Sequence, residues 1–398
     1  MNRIATGWSW NTRLVVLAAT SAVAVSVIYL PQSLLTSIAA SFGVAPVAAG
    51  VVATAVQVGY AVGIFLLVPL ADRIQPRRQV TVQAILLAAA LALSAALPTV
   101  AALAVGFLVV GLVANIAQLI IPTAAKLAPV GRTGATTSTL VGAILIGIFG
   151  GRIVSSLLVG ELGWRLVAVL FALLVLATVP FVRRALPADV HLSGVGNSHA
   201  SILVSTLSLV VRSPALVQSA LMQFFVFATF NALWTVIVLH LTGEQFGWSV
   251  LQAGLFGFVG LAAGAVTPFA GRFVDRFGPV AVTGVLLAVL LVATAAVIVD
   301  SNQIWLFGVT MFVITLANQS IQSANQSRIM VANPGRVAQA NTMFMVGVFL
   351  GGATGATLGP AAYTLGGMPA VAVLASTFVL VAGIIWLLSL AYEARSQK

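Results

Sequence analysis

Asn115-Ile-Ala-Gln118 opens a stretch that closes on Gly147-Ile-Phe-Gly150-Gly151-Arg152. Between them lie an apolar turn, a basic loop from Lys126 to Arg132, and a glycine-rich apolar run. The same plan returns later in the chain. Asn318-Gln-Ser-Ile-Gln322 is followed by a basic loop from Arg328 to Arg336, then by a glycine-rich run through Gly351 and Gly352. Asn115 and Asn318 are 203 residues apart, as are Asp72 and Asp275, and Arg132 precedes Arg336 by 204. A period of half the 398-residue length means one unit used twice.

The chain is 61% hydrophobic and 6% charged, with a mean hydropathy of +1.14. A soluble chain carries about 25% charged residues. Too little polar material is present to coat a water-facing surface, so the composition specifies an integral membrane protein. Net charge is +11 and the pI about 11.5. The basic residues sit one to three at a time between apolar runs, with no basic stripe and no interleaved aromatics. That pattern excludes nucleic acid as partner and points to topology-setting charge beside anionic lipid. With no cysteine there is no disulfide, thiolate nucleophile or zinc–thiolate site. The first apolar run, after Arg3 and Arg13, is too long for a signal peptide and shows no cleavage site, so it reads as a retained first span.

Apolar runs and their breaks predict an all-α membrane protein with spans over residues 13–38, 47–70, 79–97, 100–124, 133–158 and 165–186, then 215–241, 249–271, 279–299, 303–327, 337–361 and 368–391. Twelve spans in two pseudo-symmetric six-helix bundles divide the chain into 1–186 and 215–398. The linker, 187–214, carries a short amphipathic helix from Ser201 to Val211 lying on the membrane face. His191 and His199 fall in this linker and read as solvated, with no metal assigned. Of the 18 Lys and Arg residues, 16 fall on the side of the termini. The exceptions are Arg165, on the opposite face, and Arg152, within span 5. So lopsided a split places both termini in the cytoplasm.

Twelve spans, a two-fold repeat and an acidic-basic loop after spans 2 and 8 resemble the major facilitator superfamily. The family's loop reads Gly-x-Leu-Ala-Asp-Arg-x-Gly-Arg-Arg/Lys. Gly271-Arg-Phe-Val-Asp275-Arg276-Phe-Gly278 keeps both glycines, whereas the first copy, from Val68 through Asp72 and Arg73 to Arg78, has Val68 and Gln75 in their places. Leu162-Gly163-Trp164-Arg165 is also similar to the family. Within it, Phe230-Asn-Ala-Leu-Trp234-Thr235 and Gly150-Gly151-Arg152 resemble the drug and metabolite efflux branch, bacterial permeases of arabinose-efflux type. Many proton-coupled exporters carry an arginine within span 4. Here that region is Val109-Val-Gly-Leu-Val113, without one. The resemblance implies a monomer in a bacterial inner membrane, with a solute cavity between the halves opened to either side in turn. It also implies that Asp72, Arg73 and Arg77, with Asp275 and Arg276, form charge-pair gates.

Such a cavity needs polar side chains at mid-depth. Asn115 and Gln118 are spaced i, i+3 in span 4, and Asn318, Gln322 and Asn325 i, i+4, i+7 in span 10, each set on one helical face. Amides donate and accept, which suits a polar solute; the alternative is helix–helix hydrogen bonding. Tyr29 and Gln32 flank Pro31, Gln57 lies mid-span 2, and Gln223, Asn231 and Trp234 lie in span 7. Gly257, Gly260 and Gly264 form a small-residue stripe in span 8 that reads as close helix contact.

Arg152 is the sharpest candidate. A charge well inside a span is costly unless it faces water or a partner. Facing a cavity, it would bind an anionic group; otherwise it reaches the headgroups or pairs with Glu161. None of the seven acidic residues falls at the middle of a span, and His240 is the one titratable substitute for a buried proton carrier. No nucleophile–base pair, metal cluster, phosphate loop or cofactor motif appears, so an enzyme is not expected. The expected function is secondary transport of a small organic solute by alternating access, in the direction of efflux, with protons as a candidate co-substrate. The alternative is an importer, exchanger or facilitator of an organic anion that uses Arg152.

Overall fold

The computed structural model describes residues 8–188 and 198–396, and the side chains there except at 72, 268–275 and 393–396. The described chain is helical, with no strand among the described residues. Its helices are α1 (Trp10–Ser33), α2 (Leu35–Phe42), α3 (Pro46–Leu67), α4 (Pro76–Ser94), α5 (Val100–Val113), α6 (Ile116–Leu127) and α7 (Thr133–Ala185). After the linker come α8 (His199–Arg212), α9 (Pro214–Thr242), α10 (Val250–Leu255), α11 (Gly257–Phe277), α12 (Pro279–Asp300), α13 (Ile304–Ala332) and α14 (Val337–Ser396).

Among the described residues nine helices are long and apolar enough to cross a bilayer. The 53-residue α7 and the 60-residue α14 each contain two spans joined at a glycine kink, and α4 adds one more, giving twelve. Gly163 turns α7 with φ 69° and ψ 161°, a backbone that only glycine adopts without strain. Gly366 and Gly367 kink α14, and of the two Gly367, at φ 63°, has the backbone that favours glycine. The far end of α7 returns to the start of α1, where Arg13 Nε donates to the Ala185 carbonyl at 2.8 Å.

Several predicted boundaries are corrected. Span 1 is two helices, because Pro31 removes a backbone donor and the chain steps at Leu34. Span 4 breaks at Asn115, whose side-chain Nδ2 donates to the Leu112 carbonyl at 2.7 Å and so competes with the helix ladder. Asn115 and Gln118 therefore do not share one continuous helical face. Span 10 runs on to Ala332, which places Arg328 inside α13 rather than in a loop. Arg328 is buried and donates to Gln218 Oε1 at 2.8 Å and Ser219 Oγ at 3.4 Å. Arg152 is thus not the only cation within a span. Likewise α11 continues to Phe277, so Arg276 lies in its last turn. The linker helix begins at His199, capped by Ser198 Oγ, which accepts from the Ser201 amide at 3.1 Å. Asp189 and His191 lie outside the described residues.

The two halves meet along α3 with α14, and along the first arm of α7 with α10 and α11. The small-residue stripe supplies the second contact. A Cβ at Gly260 would collide with the Phe149 ring, and one at Gly257 would come within 2.9 Å of Ile153. Across α3 and α14, Thr54 and Thr357 hydroxyls are 2.8 Å apart and the Tyr60 and Phe349 rings 4.2 Å.

Candidate functional site

Where these contacts converge, the first arm of α7 carries Arg152 into the space between the halves. The residue is 5% exposed. Snorkelling to the headgroups is thereby ruled out, and Glu161 is exposed and not its partner. The guanidinium lies over three aromatic faces: Trp234 at 4.9 Å, Tyr29 at 5.1 Å and Phe149 at 5.9 Å. Tyr29 comes from α1 and Trp234 from α9, so both halves contribute rings. Its Nη2 donates to Gln32 Oε1, and its Nε has no partner among the described residues.

Gln32 carries the connection across. Its Nε2 donates to Asn231 Oδ1 at 2.9 Å, and Asn231 Nδ2 in turn donates to the Phe227 carbonyl at 3.2 Å. Arg152, Gln32 and Asn231 thus form a hydrogen-bonded chain through α7, α1 and α9. Trp234 is fixed from behind, its Nε1 donating to Thr315 Oγ1 at 3.2 Å. Beside the guanidinium remains a cavity of about 10 Å³, bordered by Ser33, Ser156 and Gly254. That is room for about one water molecule.

The energetics of this arrangement are unbalanced. A buried cation carries a desolvation penalty of several kcal/mol. Three cation–π contacts return roughly 0.5–2 kcal/mol each. Among the described residues one neutral amide oxygen supplies the only hydrogen bond, although a guanidinium offers five donors. No described carboxylate neutralises it. The site is therefore short of one negative charge, and the natural complement is a carboxylate, phosphate or sulfonate on a bound molecule, held bidentately.

The remaining candidates are placed as follows. Gln57 is buried on α3 against Gly352 of the other half, near the same interface. Asn115 is spent inside the first half, accepting from Gln83 Nε2 at 3.3 Å. Asn325 Nδ2 donates to Gln223 Oε1 at 3.4 Å, which ties α13 to α9 inside the second half. Asn318 is buried, with its Oδ1 unpartnered. Gln322 is half-buried, its amide 3.9 Å from Met345 Sδ, and Gln118 is half-buried on α6. The structure thus gathers Tyr29, Gln32, Arg152, Asn231 and Trp234 into one cluster and leaves the amides of α6 and α13 out of it. Among the gating candidates, Arg73 and Arg276 are exposed and Arg77 is half-buried, while the Asp72 and Asp275 side chains lie outside the described residues. His240 is buried near the end of α9, its Nε2 2.8 Å from the Ser301 carbonyl.

Phe149, Phe230 and Thr315 belong to the cluster and were not singled out in the sequence. Phe149 could have been found, since it precedes Arg152 by three residues on the same helical face. Phe230 packs edge-on to Phe149 at 6.4 Å and could have been found in the same way, since it precedes Trp234 by four residues on one helical face.

Comparison with known proteins identifies the family and the fold. Residues 14–330 and 219–398 match the family model described as Major Facilitator Superfamily. The chain is 30% identical over 380 residues to the uncharacterized transporter YgaY of Escherichia coli O157:H7, covering 94% of each. It is 32% identical over 364 residues to the probable transporter SCO4007 of Streptomyces coelicolor, covering 87% of this chain and 81% of that one. Among solved structures it resembles the nucleoside transporter NupG with a TM-score of 0.78 at 14% identity, covering 95% of this chain and 99% of that one. At that identity the likeness concerns the fold alone.

Proposed function

The chain belongs to the major facilitator superfamily and is a multi-pass membrane transporter, not an enzyme; we propose that it moves a small organic anion across a bacterial cytoplasmic membrane by alternating access. The observation that carries this reading is Arg152, buried between the halves with no carboxylate against it among the described residues. A charge kept at that depth without a described counter-charge marks a functional site, and a ligand anion is the complement it lacks.

In this reading Gln32 provides a coupling step. Gln32 Oε1 occupies one of the positions that a substrate carboxylate would take on the guanidinium. An arriving anion displaces it. The displaced Gln32 then loses its alignment with Asn231, the amide link between the halves. Ligand binding and the intact link are mutually exclusive, so the anion favours the arrangement in which the halves separate there, in proportion to its differential affinity. We take export as the direction, on the sequence resemblance to efflux permeases, and place both termini in the cytoplasm on the charge split.

The test is a thermal-shift screen of purified protein against organic acids, neutral sugars and cationic drug-like compounds. A ligand at a hundred times its Kd stabilises by about 2.7 kcal/mol. An organic acid is expected to give a shift that Arg152→Ala abolishes and Arg152→Lys weakens. If Arg152→Ala removes neutral or cationic ligands as completely as anionic ones, Arg152 is structural and the reading fails.

A further inference from the structure

A second cationic site lies far from Arg152, on the face where α1 begins and α7 ends. There the start of α4 and the end of α7 enclose a cavity of about 300 Å³. Arg77 and Arg78 line it from α4 and Arg183 from α7, with Gln75, Thr81 and Val82 completing the wall. None of the three arginines pairs with a carboxylate among the described residues. Gln75, at the N-cap of α4, makes no side-chain cap, so the first turn also brings uncapped N–H groups to the rim. Three guanidiniums over an uncapped helix start repel any cation and attract a phosphate.

What lies below the cavity selects the kind of phosphate. Arg78, Val82, Ile85 and Leu86 fall on one face of α4, at i, i+4, i+7 and i+8. The three apolar members are 47%, 44% and 50% exposed, which marks them as lipid-facing. On the α7 side, Phe181 is 54% exposed. The cationic cavity is thus the head of an apolar strip that runs into the bilayer. A free phosphate would need the first and have no use for the second.

We propose that this cavity binds the headgroup of an anionic phospholipid, with the phosphodiester between Arg78 and Arg183 and one acyl chain along Val82, Ile85 and Leu86. The site is separate from the Arg152 cluster and does not depend on the substrate reading, although Arg77 also falls in the loop that resembles the family's gate. Bound there, the lipid bridges α4 to the second arm of α7 and offsets arginine charge that no described carboxylate pairs.

The experiment is thermal unfolding of the full chain in neutral detergent, titrated with short-chain phosphatidylglycerol, phosphatidylcholine of the same chain length, or inorganic phosphate. Phosphatidylglycerol is expected to raise the unfolding temperature, and the other two not to. A cation beside an anionic lipid surface contributes roughly a fivefold factor in affinity. Arg78→Gln and Arg183→Gln should therefore each weaken phosphatidylglycerol by about fivefold, and the double variant by about 25-fold. Arg212→Gln removes one exposed charge from the same face and should leave the titration unchanged. An equal shift with inorganic phosphate makes the cavity a free-anion site and overturns the proposal. So does an equal shift with phosphatidylcholine, or an Arg212→Gln loss as large as that at Arg78. The single variants keep the test decisive if the double variant does not fold.

Discussion

Arg152 shows how one side chain can be both well packed and unsatisfied. Its ring contacts account for where it sits, and its unpartnered Nε shows what it lacks. A carboxylate built into the protein should fill that gap. Gln32→Glu keeps the shape and places a charge on the atom that Arg152 Nη2 already contacts. The Asn231 amide can turn and donate to the second oxygen. The present bond already has a charged donor, so the gain is the added attraction between opposite charges in a low-dielectric site. Gln32→Glu is therefore expected to raise the unfolding temperature while removing stabilisation by anionic ligands. A drop in that temperature would mean that the guanidinium is already balanced. Asn231→Ala acts on the other end of the chain of bonds. In a membrane protein such a link contributes about 0.6–2 kcal/mol, so a small destabilisation is expected, with anion affinity retained.

The helices owe their turning points to single residues. Gly163, at φ 69° and ψ 161°, joins the two arms of α7 in a backbone that a side chain does not tolerate. Gly163→Ala should cost roughly 1–3 kcal/mol, read by thermal unfolding in detergent. Gly160, three residues earlier in regular helix with open space around it, is the control. Gly160→Ala should be neutral or stabilising by up to about 1 kcal/mol, from helix propensity. Equal effects at the two positions would remove the argument for a glycine-specific turn. The contact between α7 and α11 rests on a different property, the absence of a side chain at Gly260 under the Phe149 ring. Gly260→Val should push the helices apart. The chain has no cysteine, so Ser156→Cys provides a clean reporter near that seam. Labelling by a membrane-impermeant thiol reagent should be slow in the single variant and faster with Gly260→Val added. Unchanged labelling in a well-expressed double variant would mean that the seam does not close access to Arg152.

For the molecule as a whole, the question is what energy source moves the solute. The described carboxylates, Glu161, Glu244 and Asp300, stand at helix ends, and Asp300 is engaged with the Thr310 hydroxyl at 2.9 Å. A buried carboxylate at mid-depth, the usual proton carrier, is not among the described residues. His240 is committed to the Ser301 carbonyl and ringed by Phe246, Phe307 and Tyr363. Exchange of an organic anion in proteoliposomes should therefore persist when a protonophore collapses the pH gradient. Abolition of exchange by the protonophore would show that a proton carrier operates and would contradict this reading.

Sequence alone determined the bilayer crossing, the number of spans and the duplication, because these depend on the length and spacing of apolar runs and on where charge is absent. A 203-residue repeat and a one-sided distribution of arginines are properties of the chain as written. It also singled out Arg152, since a cation within an apolar run is conspicuous without coordinates. It could not tell a cavity amide from a packing amide. Asn115 and Asn231 are alike in type and in burial, yet the first closes on its own half and the second reaches Gln32, 199 residues away. Helical spacing gives the face of one helix. Which neighbour that face meets is set by how twelve helices pack, and only the tertiary structure decided that Gln32, Asn231 and three aromatic rings, with no described carboxylate, would gather around one guanidinium.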